Sequence, residues 1–250
     1  MDSRNTTTPP PEQQQGDPTR VYVSTPTSEH ILATLMLAKE DGEIVSVSGM
    51  PGIGKTQAME RLKSTETSVW YCQFSDDIGS VFATLTEVAK AVGITEVPSK
   101  PDDVRRQIVS RVQGTEGIIL CDEAQHLNSK GFEVIRTIHD RSGVAIAFCG
   151  HLDLADKIAR LPQLAGRITA PLRIGAARAE DADALFDAWG LTDRRSREFL
   201  RAFASNPTGL RRIAKAFRLA RRMALAAGNP VTFEHVRKAW ASLQETVIEA

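Results

Sequence analysis

The chain has 250 residues, 42% of them hydrophobic, with 31 Lys plus Arg against 31 Asp plus Glu. That length accommodates one α/β core and a smaller appended unit. Zero formal net charge excludes a global positive field, so any nucleic-acid surface must be a local patch. No signal peptide is legible, and no segment reaches the ~18 uninterrupted apolar residues of a membrane helix. The expectation is a cytoplasmic protein with no membrane contact.

Residues 1–19 are rich in Thr, Pro and Gln and carry no aliphatic residue after Met1. They are expected to form a disordered tail. From Ser28 the apolar spacing of Ile31, Leu32, Leu35 and Met36 predicts a helix ending near Asp41-Gly42. Apolar runs then alternate with helical patterns. Strands are expected at 44–48, 69–74, 117–121 and 144–149, with a fifth at 168–174. Near-continuous apolar runs of this kind read as strands of a parallel sheet buried on both faces. Helices are expected from about Lys55, over 79–92, through Val104-Ile108-Val112 and through Phe132-Ile135-Ile138. Beyond about Ala179 strand signals stop, and four helices follow near 182–189, 195–204, 210–227 and 233–244. Thr232 is expected to cap the last one. The division is thus a tail (1–19), an α/β core (20–178) and a helical lid (179–250). Cys72, Cys121 and Cys149 sit in or beside apolar runs, with no metal-knuckle spacing, and read as reduced core thiols.

One motif carries chemistry. Gly49-Met50-Pro51-Gly52-Ile53-Gly54-Lys55-Thr56 fits G-x-x-x-x-G-K-[ST] between a predicted strand and a predicted helix. Glycines let backbone N–H groups curl into an anion nest at a helix N-terminus. These residues, with the following Gln57, are the expected ATP site, Lys55 reaching the β and γ phosphates and Thr56 holding Mg²⁺. The apolar strand ending in Asp122-Glu123 supplies the second half. Asp122 would bind Mg²⁺, and Glu123 would polarise the attacking water as general base. An Asp-Glu pair after a strand is, taken alone, also an ordinary helix start. The upstream loop decides for catalysis.

With these motifs the chain resembles the AAA+ branch of P-loop ATPases over about residues 20–245. Within that branch, Asp122-Glu123-Ala124-Gln125-His126-Leu127 is similar to the D-E-A-Q-H-L stretch of the MuB, TniB and TnsC group and of ExeA-like ATPases. The resemblance implies an α/β P-loop NTPase fold in which the fourth strand lies between the loop strand and the Asp-Glu strand. It implies an ATP-hydrolysing protein, bacterial or phage-encoded, that forms oligomers or filaments on double-stranded DNA without sequence preference and activates a partner transposase. The MuB pattern also includes an N-terminal helix-turn-helix domain, for which only a short tail is available here. A helicase loader or replication-initiation ATPase, and an ExeA-like regulatory ATPase acting on proteins, are the competing readings.

The resemblance also implies site residues. His151, after Cys149-Gly150, stands where a polar sensor is usual, or else is a helix-capping or surface histidine. Arg167, in Leu164-Ala165-Gly166-Arg167-Ile168, stands where an arginine finger completes a neighbour's site, with Arg160 as its rival and an ordinary interface arginine as the alternative. Arg211, in Asn206-Pro207-Thr208-Gly209-Leu210-Arg211, would touch the γ-phosphate from the lid. Lys130, Arg136 and Arg141 are the candidate DNA contacts of the core. Arg211, Lys215, Arg218 and Arg222 form a basic stripe that is either a solvated face or a strip for DNA, partner or lid contacts, with Lys215 and Arg218 the DNA candidates.

Overall fold

A computed structural model describes residues 17–243. Five parallel strands form one sheet: β1 (Ile44–Gly49), β2 (Val69–Gln73), β3 (Ile118–Asp122), β4 (Ala145–Gly150) and β5 (Ile168–Ile174), in the order β2-β3-β4-β1-β5. Helices α1 (Pro26–Asp41) and α2 (Lys55–Thr65) are joined to α3 (Val81–Ala91), α4 (Pro101–Val112) and α5 (Ser129–Ser142) through these strands. Period-2 alternation divides the core into two layers. Ile119, Cys121, Ile146 and Phe148 pack with Val88, Ile108 and Ile135 on one face. Ile118, Leu120, Ala145 and Ala147 pack with Ile31, Leu35 and Leu62 on the other. Short helices α6 (Asp153–Ala159) and α7 (Pro162–Ala165) follow β4. They are too short to show periodicity, and the sequence pattern does not announce them.

β5 departs from the expectation of a strand buried on both sides. Its residues alternate between half-buried and exposed, because it pairs only with β1 and lies at the sheet edge. Pro171 fits that position, since an edge strand tolerates a missing N–H donor.

Four further helices, α8 (Ala179–Ala188), α9 (Arg194–Arg201), α10 (Gly209–Ala226) and α11 (Phe233–Ser242), share a core around Phe186, Trp189, Leu200, Ile213, Phe217 and Trp240. Thr232 caps α11, and Gly228, at φ 66, follows the end of α10. Residues 1–16 of the expected tail, and Gln244 of the last expected helix, lie outside the described residues. Asp17, Pro18 and Thr19, also assigned to the tail, are described: Asp17 caps a 3-10 turn over Pro18–Arg20.

The start of α1 and the start of α8 are tied by one buried carboxylate. Asp181, fully buried, accepts from Thr27 N (2.8 Å), Thr27 Oγ1 (2.7 Å) and Arg178 N (2.8 Å). Asp181→Ala strands all three donors, and the expected cost is about 3 kcal/mol of unfolding free energy. Urea denaturation reads this, and a loss below about 1 kcal/mol would show the latch to be dispensable.

The three cysteines are buried and free, and burial pushes the Cys121 and Cys149 thiols up. Among the described residues no cluster of three or more His, Cys, Asp or Glu side chains could hold a metal ion. No helix there is long and apolar enough to cross a membrane.

Candidate nucleotide site

β1 delivers the chain to the carboxyl edge of the sheet, where residues 49–54 turn and α2 begins at Lys55. Three glycines make the turn possible for different reasons. Gly52 and Gly54 have φ of 82° and 101°, a region that side chains disfavour. Gly49 has no room for a Cβ, which would stand 2.5 Å from Ile53 Cδ1 and 3.0 Å from Ile174 O. The ammonium of Lys55 lies in the loop, donating to Gly49 O at 2.9 Å and Met50 O at 3.0 Å. Burial lowers its pKa, while the facing Asp122 and Glu123 carboxylates act the other way.

The end of β3 brings its two acids to the same place. Asp122 is 1% exposed. Its Oδ2 accepts from Thr56 Oγ1 at 2.9 Å and from Tyr71 Oη at 2.8 Å, and its Oδ1 accepts from Glu123 N at 2.9 Å. A hydroxyl and a carboxylate within hydrogen-bond distance are the hard oxygen donors that suit Mg²⁺. Glu123 adopts φ 52, ψ 35, a left-handed conformation uncommon for a residue with a side chain, and lines the cleft.

That cleft has a volume of about 560 Å³, within the usual range for small-molecule sites. Residues 51–57 and Glu123 line its polar end. Its apolar end is built by Tyr22 and Val23 from the segment before α1, by Leu185 of α8, by Trp189 directly after α8, and by Leu210 and Ala214 of α10. The loop is wedged into the helical unit. Ile53 is buried in the α8–α11 core, and a Cβ on Gly52 would lie 3.3 Å from Arg211 Cβ.

Of the sequence-predicted residues, the structure brings together Gly52, Gly54, Lys55, Thr56, Gln57, Glu123 and Arg211 around one cleft, with Asp122 beneath Thr56. His151 is not among the lining residues; its exposed imidazole faces Asp153, Nδ1 to Oδ1 3.4 Å. Arg167 directly precedes Ile168, which pairs with Ile44 at the amino edge of the sheet. It is therefore about 20 Å, the length of β1, from its own loop, and pairs with Asp140 at 3.5 Å. Asp140 and Glu133 also hold Arg136. Lys130 and Arg141 lie at opposite ends of α5, about 16 Å apart. Arg218 is engaged by Asp17 at 2.9 Å and by Thr19 at 2.9 Å, whereas Lys215 and Arg222 are exposed.

Tyr71 and the apolar end of the cleft were not singled out from sequence. Tyr71 belongs to a strand whose pairing with β3 sets it near Asp122, and no local motif marks it. The same holds for Tyr22, Leu185 and Trp189, which meet only through the packing of α1, α8 and α10.

Residues 166–243 match the model of the Mu B transposition protein C-terminal domain, and residues 38–158 match an AAA domain model. Together the two matches make the chain similar to an AAA domain followed by the C-terminal part of a Mu B transposition protein. It is 28% identical to the ATP-dependent target DNA activator B of Escherichia phage Mu, covering 89% of this chain and 73% of that protein. It is 26% identical to the Mu-like prophage FluMu DNA transposition protein B of Haemophilus influenzae, covering 78% and 71%. The chain also shares its fold with solved Cdc6p and ORC2 structures. Cdc6p from Pyrobaculum aerophilum superposes with TM-score 0.70 at 18% identity, covering 93% of this chain and 72% of that one. The Aeropyrum pernix ORC2 protein superposes with TM-score 0.67 at 15% identity, covering 92% and 72%. At such identities the likeness concerns fold alone.

Proposed function

We propose that this chain is an ATP-hydrolysing, target-DNA-activating protein of DNA transposition, which assembles on duplex DNA when ATP is bound and stimulates a transposase. The observation that carries the chemistry is the convergence of Lys55, Thr56 and Glu123 on one cleft, with the buried Asp122 bonded to Thr56. The kinship with the phage Mu target DNA activator B supports the biological role.

On this reading residues 20–178 are the ATPase core and 179–250 the lid. Backbone N–H groups of the loop cradle the phosphates, and Lys55 turns its ammonium from the loop carbonyls to the β and γ oxygens. Thr56 and Asp122 would hold Mg²⁺, which when bound would supply charge neutralisation for the phosphates. Glu123 accepts a proton from water aligned with the leaving group. The apolar end of the cleft receives the base, and Arg211 reaches the γ-phosphate from α10. Arg167, remote from its own loop, acts on the next subunit's nucleotide, so each complete site spans two copies of the chain. Scattered cations such as Lys130, Arg141 and Lys215 become a DNA-binding track when copies repeat along the duplex.

Electron microscopy with ATP and duplex DNA is expected to show ordered oligomers or filaments that ADP does not support. DNA affinity should fall by at least about 10³ between 50 and 200 mM salt if six or more phosphates are neutralised. Failure to bind duplex DNA at low salt with ATP present sinks the proposal.

A further inference from the structure

The side-chain amide of Gln125 lies between the acid at the end of β3 and the end of β4. His151 N–H can only donate, and it reaches Gln125 Oε1 at 3.0 Å. The amide nitrogen therefore faces the other way. There it donates to Glu123 Oε2, and its second hydrogen faces His126 Nε2 at 3.3 Å. That ring nitrogen must offer its lone pair, which leaves the proton on Nδ1, facing the Asp76 carboxylate. Lys157 donates to the main-chain carbonyl of Gln125.

Two features tie this bridge to its surroundings. Glu123 keeps its left-handed conformation, which persists where neighbouring structure over-determines it. At the other end, a Cβ on Gly150 would stand 2.3 Å from Gln125 Oε1, so the end of β4 admits the amide only because glycine is there.

We infer that Gln125 is a positioning residue for Glu123, clamping one carboxylate oxygen against the end of β4. The other oxygen, Oε1, accepts no hydrogen bond among the described residues and is the one presented to water. A base held by a third group is the arrangement that makes proton abstraction geometrically reliable, and a displacement of about 1 Å costs about 10²-fold in rate. The inference rests on Glu123 being the general base.

The test is steady-state ATPase kinetics of the full chain with duplex DNA, alongside ATP affinity, for Gln125→Ala, Gln125→Met, Gly150→Ala and the Gln125→Ala/Gly150→Ala pair. Glu123→Gln is measured in parallel. Both Gln125 variants are expected to lower kcat about 10- to 100-fold with ATP affinity within threefold of wild type. Gly150→Ala should do the same by expelling the amide. The double variant should be no slower than either single one, because the bridge and the clash disappear together. A purely structural role would weaken ATP binding along with turnover, and the losses would add. If either Gln125 variant keeps or raises the wild-type kcat while Glu123→Gln is inactive, the inference is overturned and the role of Glu123 stands. Normal turnover by Glu123→Gln removes the premise itself.

Discussion

Lys55→Ala is expected to weaken ATP binding at least about 100-fold, roughly 3 kcal/mol, with the fold intact. The ammonium is held in the loop by two carbonyls, Gly49 O and Met50 O, and burial already lowers its pKa. A phosphate placed there meets a partly desolvated cation, whose attraction is stronger than at a surface. The loop shape does not rest on the lysine, because Gly49, Gly52 and Gly54 set it through backbone angles and close approach. Titration with a fluorescent ATP analogue gives the affinity, and a thermal melt gives the control. Affinity within threefold of wild type would remove Lys55 from the site.

Glu123→Gln should separate binding from turnover. The amide matches the carboxylate in size but cannot take a proton from water, and loss of a positioned base lowers the rate by about 10²–10⁴-fold. Nucleotide affinity should stay within threefold, since the loop, Lys55 and Thr56 are unchanged. Assemblies formed with ATP should then persist, because the nucleotide that holds them is not consumed. Single-turnover hydrolysis and the lifetime of ATP-dependent oligomers on DNA measure the two halves of this expectation. Hydrolysis at the wild-type rate would show that another group activates the water.

The two variants probe the parts of the site most legible in the chain. The phosphate loop is a continuous stretch between an apolar run and a helix start, and its glycines state their backbone requirements directly. Asp122 and Glu123 end an unbroken apolar strand. The strand order was expected from family resemblance rather than from the residues, and β4 does lie between β1 and β3. The edge exposure of β5 was missed because a half-buried strand with Ile168, Leu172 and Ile174 reads like a buried one until its neighbours are known. The brief helices α6 and α7 escaped for want of length.

Other features depend on residues far apart in sequence, and no local pattern encodes their meeting. Tyr71 reaches Asp122 across 51 positions, Asp181 reaches Thr27 across 154, and Arg218 reaches Thr19 across 199. The last of these places a residue assigned to a basic stripe against the segment that lines the cleft. Local chain chemistry therefore determined the shape of the proposed phosphate loop: turn-forming glycines, apolar runs and helix starts act over a few residues. Only the tertiary structure decided what surrounds that point. The apolar end of the cleft, the hydroxyls on Asp122, the bridge through Gln125 and the distance of Arg167 from its own loop all follow from strand order and helix packing, which bring together groups that the sequence keeps apart.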